Sequence, residues 1–167
     1  PERRAELEAA FVQGRPRYGA AVARAVTASI DTWTAEWVSG HEDACEATRV
    51  RREQSEARLD LRMACLADQR RELEALVSRL AATDPEVVDH AVAAATALPD
   101  VQACADVDAL GAIAPPGDPA LAREVESIRE AEARAWALLR TGRYVEAATE
   151  GRALARRAEG TGYGPAL

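Results

Sequence analysis

Four leucines stand seven residues apart, Leu59, Leu66, Leu73 and Leu80, with Met63 and Val77 at the offset positions between them. That spacing reads as one apolar stripe along an amphipathic helix. A second stripe precedes it. Tyr18, Val22, Val26, Ile30, Trp33 and Trp37 step by three or four residues, and Ala44 and Ala47 can continue the line past Gly40. Two long helices are therefore the first expectation for this chain. Whether Gly40 breaks the earlier one is open from sequence alone.

Composition agrees. The chain is 48% hydrophobic but only 4% aromatic, and Ala and Leu dominate the apolar share. Packed helices use such residues, whereas sheets favour β-branched and aromatic ones. The expected fold class is all-α: an antiparallel bundle of long helices followed by a helical hairpin. All 21 basic residues are Arg, and the chain holds neither Lys nor Asn. A chain without Lys has no phosphate-loop lysine, no kinase β3 lysine and no Schiff-base amine. The net charge of −7 argues against nucleic acid as a partner. The basic run Arg49-Val50-Arg51-Arg52 reads as a solvated helix surface, with Arg49–Glu53 and Arg52–Glu56 as i, i+4 pairs.

Punctuation divides the rest. Glu2 to Gln13 reads as a short helix ended by Gly14-Arg15-Pro16. The third helix is expected from about Ser55, its N-cap, to about Ala82. Thr83-Asp84-Pro85-Glu86 is a stop and restart, with Asp84 as cap and Pro85 at the first helical position. A fourth helix then runs to Pro99, and Asp100 to Leu110 reads as short helical turns. Gly111 to Pro119 is the strongest break, placing a boundary between a module at 1–114 and a hairpin at 115–167. No apolar run is long enough to span a bilayer, Ala91 to Ala95 being the best and far too short. The chain opens on Pro1 rather than Met, so it is expected to be a piece of a longer protein.

The hairpin carries Gly142, Tyr144 and Ala147, a turn glycine, an aromatic two residues on and a small residue three further. That spacing resembles a tetratricopeptide repeat, in which the small residue lets two helices approach and the aromatic fills the space beside it. One repeat cannot bury its own face, so an array continuing past Leu167 is expected. A wider resemblance rests on Cys45 to Ser55, on Leu59-Asp-Leu-Arg-Met-Ala-Cys-Leu66, on Ala94-Ala95 to Leu98-Pro99, on Cys104-Ala-Asp106 and on Arg143-Tyr144. Together these resemble the helical segment of large myxobacterial-type Ser/Thr protein kinases, between the kinase domain and C-terminal tetratricopeptide repeats. The resemblance covers about Phe11 to Tyr163. Arg52 stands where that pattern has glycine, which implies a straighter joint between the second and third helices.

The resemblance also frames the cysteines, for which three readings stand side by side. Cys45, Cys65 and Cys104 can be three small buried hydrophobes. Cys65 and Cys104 can form a disulfide, with Cys45 free or paired to an upstream cysteine. A membrane-spanning segment commonly precedes this module in the resembled family, which implies an extracytoplasmic module where disulfides persist. Thirdly, His41 and Cys45 are four apart, as two metal ligands would be, but no set of four with paired short spacings accompanies them. No metal or cofactor is expected.

Trp33, Trp37 and Tyr18 can line a groove or simply form core, and core is the preferred reading. Asp60 and Arg62 are expected to form inter-helix ion pairs. The carboxylates around Glu53 accompany no nucleophile–base arrangement, so the chain is not expected to be an enzyme. The leading expectation is a non-catalytic interaction or sensor module of a membrane-tethered kinase, binding a protein or peptide. The alternative is a dimerising stalk built on the heptad leucines, against which Arg70 stands on the same side.

Overall fold

The computed structural model describes residues 2–81, 84–110 and 116–164. They form seven α-helices: α1 (Glu2–Gly14), α2 (Gly19–Arg49), α3 (Glu56–Leu80), α4 (Pro85–Thr96), α5 (Val107–Leu110), α6 (Pro119–Arg140) and α7 (Tyr144–Thr161). A 3₁₀ segment, Val101–Ala105, lies between α4 and α5, and no strand occurs among the described residues. The fold is all-α. The sequence boundary at 114/115, like Ala82 and Thr83, lies outside the described residues.

Local chemistry sets the helix starts. Ser55 Oγ accepts from Arg58 N at 3.3 Å, and Asp84 Oδ1 accepts from Glu86 N at 3.0 Å. Asp118 Oδ2 accepts from Leu121 N at 2.7 Å. Each satisfies a backbone donor that a helix start leaves orphaned, and Pro85 and Pro119 sit at first positions where no donor is needed. α4 stops at Thr96, short of the expected Pro99.

α2 runs unbroken through Gly40. A Cβ there would lie 3.1 Å from Val101 Cγ1, so the glycine opens the space in which the 3₁₀ segment packs. The joint between α2 and α3 is not straightened. Residues 50–55 leave the helical path, so the expected pairs Arg49–Glu53 and Arg52–Glu56 do not form. Arg51 instead reaches Asp43 at 2.6 Å, Glu53 at 2.9 Å and Glu46 at 3.2 Å. Arg52 has φ 57°, the one non-glycine residue with positive φ among the described residues. The chain thus makes at Arg52 the left-handed turn that glycine makes without steric cost. Arg52→Gly is expected to raise stability by up to about 1 kcal/mol, measured by urea unfolding. A loss of stability would show that the arginine side chain itself holds the joint.

The core has two clusters. Phe11, Val26, Leu76, Leu80, Val87, Val88 and Ala91 join α1, α2, α3 and α4. Trp33, Leu66, Val101 and Cys104 join α2 and α3 to the 3₁₀ segment. The heptad leucines face inward: Leu59, Leu66 and Leu80 are buried, and Leu73 packs against the second cluster. α6 then docks on α3, bridged by Arg71–Glu126 at 2.6 Å and Arg140–Glu72 at 2.8 Å, while α7 packs chiefly on α6.

Tyr18 departs from its stripe. It sits at the N-cap of α2, half exposed, where its hydroxyl donates to Asp89 Oδ1 at 2.5 Å. Arg15 pairs with the same carboxylate and donates from Nε to the Tyr18 hydroxyl at 2.8 Å, tying the α1–α2 link to α4. The Arg15 guanidinium first, then the Tyr18 hydroxyl, hold the Asp89 carboxyl down at about 2. An unfolded aspartate titrates near 3.9, so the folded state binds this proton less tightly. The contribution is therefore complete above about pH 5 and lost as pH falls from about 4 toward 2. Acid unfolding followed by circular dichroism should lose part of its steepness in Asp89→Asn. Superimposable curves would refute the assignment.

Candidate functional site

The α6–α7 hairpin is built from its turn outward. Thr141 is fully buried, its hydroxyl donating to Ala137 O at 2.7 Å. Gly142 follows with φ 86°, and a Cβ there would lie 2.9 Å from His90 Cε1. Only glycine meets both demands. His90, itself held by Nδ1 donating to Glu86 O at 3.0 Å, also meets the Tyr144 ring edge-on at 6.3 Å between centroids. Arg143 completes the anchor, reaching the α4 cap Asp84 at 2.9 Å and pairing with Glu146. The turn is thus fixed to α4 by a glycine, a histidine and an ion pair.

One face of the hairpin covers α3; the other is open. Ala147 and Ala158 are buried between α6 and α7, where their small size lets the helices approach. Beside them runs a groove of about 550 Å³. Its lining combines small residues (Ala135, Ala148, Gly151, Ala155) with the larger Ile128, Trp136, Leu139 and Leu154. Trp136, Leu139 and Tyr144 are exposed, Tyr144 at 58%. Trp136 carries Arg140 over its ring at 5.5 Å, and Arg140 is held from behind by Glu72. Three charged residues line the groove, Arg129, Glu132 and Glu159. Arg129 is only loosely engaged, 3.9 Å from Asp68, and Glu132 has no ion-pair partner among the described residues.

The other sequence candidates go elsewhere. Trp33 Nε1 donates to Pro99 O and Trp37 Nε1 to Leu66 O, both at 2.8 Å, so both indoles are tied into the core. His41 lies against the Trp37 ring at 5.2 Å between centroids. Cys45 is free and half-buried, whereas Cys65 and Cys104 are joined as a disulfide with Cα atoms 5.6 Å apart. Arg62 crosses from α3 to Asp43 on α2 at 2.8 Å, and this contact, with Arg51 second, lowers the Asp43 carboxyl pKa. Asp60 is exposed. The Nε of Arg62 is buried without a hydrogen-bond partner, and Arg62 lines a small pocket with Asp43, Leu66 and Val101.

Sequence reasoning singled out Gly142, Tyr144 and Ala147 of the hairpin but not the groove itself. Its signal was present: 128, 132, 135, 136 and 139 on α6 and 147, 148, 151, 154, 155 and 158 on α7 follow helical spacing. No protein-family model, curated protein or solved structure matches this chain.

Proposed function

We propose that this chain is a non-catalytic protein-interaction module of a bacterial Ser/Thr protein kinase, and that it holds an α-helix of a protein partner in the α6–α7 groove. The observation that carries the reading is the open hairpin face, largely apolar along two helices, with small residues and three charges in its lining. A surface of that shape accepts the apolar face of an amphipathic helix at i, i+3, i+4 and i+7 anchors. The tetratricopeptide-like turn at Gly142 and the kinase-segment resemblance supply the class of parent protein. The Cys65–Cys104 bond supports a place outside the cytoplasm, where disulfides persist. Filling the groove would then reposition the parent's kinase domain.

The leucine stripe that favoured a stalk is taken up by the chain's own core, so the groove is the better docking face. A display library of amphipathic helical peptides tests this. Peptides should be selected by the chain and lost on Gly151→Trp, which adds a ring at a lining position where a Cβ meets nothing within 4 Å. No selection, or equal selection by the variant, would refute the reading.

A further inference from the structure

The charges that line the groove are unequal. Glu132 of α6 and Glu159 of α7 are both exposed, and neither has an ion-pair partner among the described residues. Arg129 differs, since it leans back toward Asp68 at 3.9 Å. The other arginines of the hairpin are engaged elsewhere or lie off this face. Arg140 is held by Glu72, Arg143 by Asp84 and Arg157 by Glu124, while Arg134 lines the cleft between α3 and α6. Arg123, Arg152 and Arg156 do not line the groove. A purely apolar partner covering this face would take two carboxylates out of water with nothing to pair them, which is strongly unfavourable. Whatever fills the groove must therefore bring cations to both of its walls.

We infer that the helix the groove takes is a basic one: an amphipathic helix of a protein partner whose apolar stripe meets Trp136, Leu139 and Leu154, and whose flanks carry Arg or Lys opposite Glu132 and Glu159. This rests on the reading that the groove takes a helix, and names that helix's charge. The hairpin sets the spacing. α6 and α7 run antiparallel, and Arg157 pairs with Glu124 across them at 2.9 Å, so Glu159 lies level with about residue 122 of α6. Glu132 is then about ten residues farther along, roughly 15 Å at 1.5 Å per residue. The two cations of the partner thus stand between two and three turns apart. Because Glu132 and Glu159 belong to opposite walls of the groove, one cation falls on each flank of the stripe. Arg129 lies between the two glutamates along α6 and disfavours a third cation there. The net charge of −7 draws a basic partner toward the chain from a distance, and the two glutamates then fix it in the groove.

A helical-peptide library with a fixed apolar stripe and randomised flanks tests the inference. It is panned on the chain in about 0.15 M salt, with circular dichroism to verify folding of each variant. Selected peptides are expected to be enriched in Arg and Lys on both flanks, and their affinity should fall as salt is raised. Glu132→Gln or Glu159→Gln should each weaken a selected peptide about fivefold. In the variant E132R/E159R the preference should reverse, with Asp and Glu enriched at the same positions. Selected flanks without a basic preference would overturn the inference. So would a basic enrichment that persists in E132R/E159R, since it would trace to the net charge of the chain. Selection that is lost on Gly151→Trp but shows no charge preference would remove the basic partner and leave the interaction reading standing. No selection by the wild-type chain would remove both.

Discussion

Removal of the Cys65–Cys104 bond is expected to lower stability by about 4 kcal/mol. The two residues are 39 apart in sequence, and closing a loop of that length removes entropy from the unfolded chain in proportion to its logarithm. For a chain of this size each kcal/mol moves the melting temperature by roughly 2–4 °C, so a fall of about ten degrees is the readout. The packing around the bond points the same way. Cys104 is buried beside Trp33, Leu66 and Val101, and the bond fastens the 3₁₀ segment that roofs this cluster. The paired variant Cys65→Ala/Cys104→Ala should reproduce the fall in the absence of reductant. Cys45→Ser, which alters a free half-buried thiol, should change the melting temperature little. An unchanged melting curve in the double variant would show that the segment is held by packing alone. Free reaction of all three thiols with a maleimide in the denatured, unreduced chain would show that the bond is absent in solution.

The helices were legible in the sequence because their signals are local. Ser55 and Asp84 cap where side-chain chemistry says they can, and Asp118 repeats the Asp-Pro pattern. What was not legible depends on residues distant in sequence. Gly19 looks like an ordinary helix-start glycine, yet a Cβ there would stand 2.1 Å from Phe11 O, because α1 folds back onto it. Arg52 turns left-handed where its residue type predicts no turn, since the packing of α2 on α3 imposes the joint. Tyr18 fits the periodic stripe perfectly well but lies at the helix start, where the hydroxyl's partners on Arg15 and Asp89 hold it outside the core. Arg129, Glu132 and Glu159 look like unrelated helix charges in the sequence, and only the packing of α7 on α6 brings them to one groove.

The heptad leucines give the sharpest division between the two uses of a long helix. In a dimer seam, all four would face a partner chain and contribute alike, and truncation would act on association. In this fold Leu66 is 1% exposed and Leu80 is completely buried, each inside one of the two core clusters. Leu73 is only partly buried at the edge of the second. Leu66→Ala and Leu80→Ala are therefore expected to cost about 3–4 kcal/mol each, the transfer loss plus the residual cavity, and Leu73→Ala clearly less. Leu66 should also fail to add with the disulfide. Its side chain and the Cys104 sulfur share one cluster, so a cavity beside the bond and loss of the bond loosen the same 3₁₀ segment. Leu80, in the other cluster with Phe11 and Val88, should add to the disulfide loss within about 0.5 kcal/mol. Urea unfolding of the three single variants, each with and without the Cys65→Ala/Cys104→Ala background, measures all of this. Equal costs at 66, 73 and 80, together with a fall in molecular mass, would place the stripe in a seam between chains. Unequal costs at constant mass place it where the burial does, inside one chain.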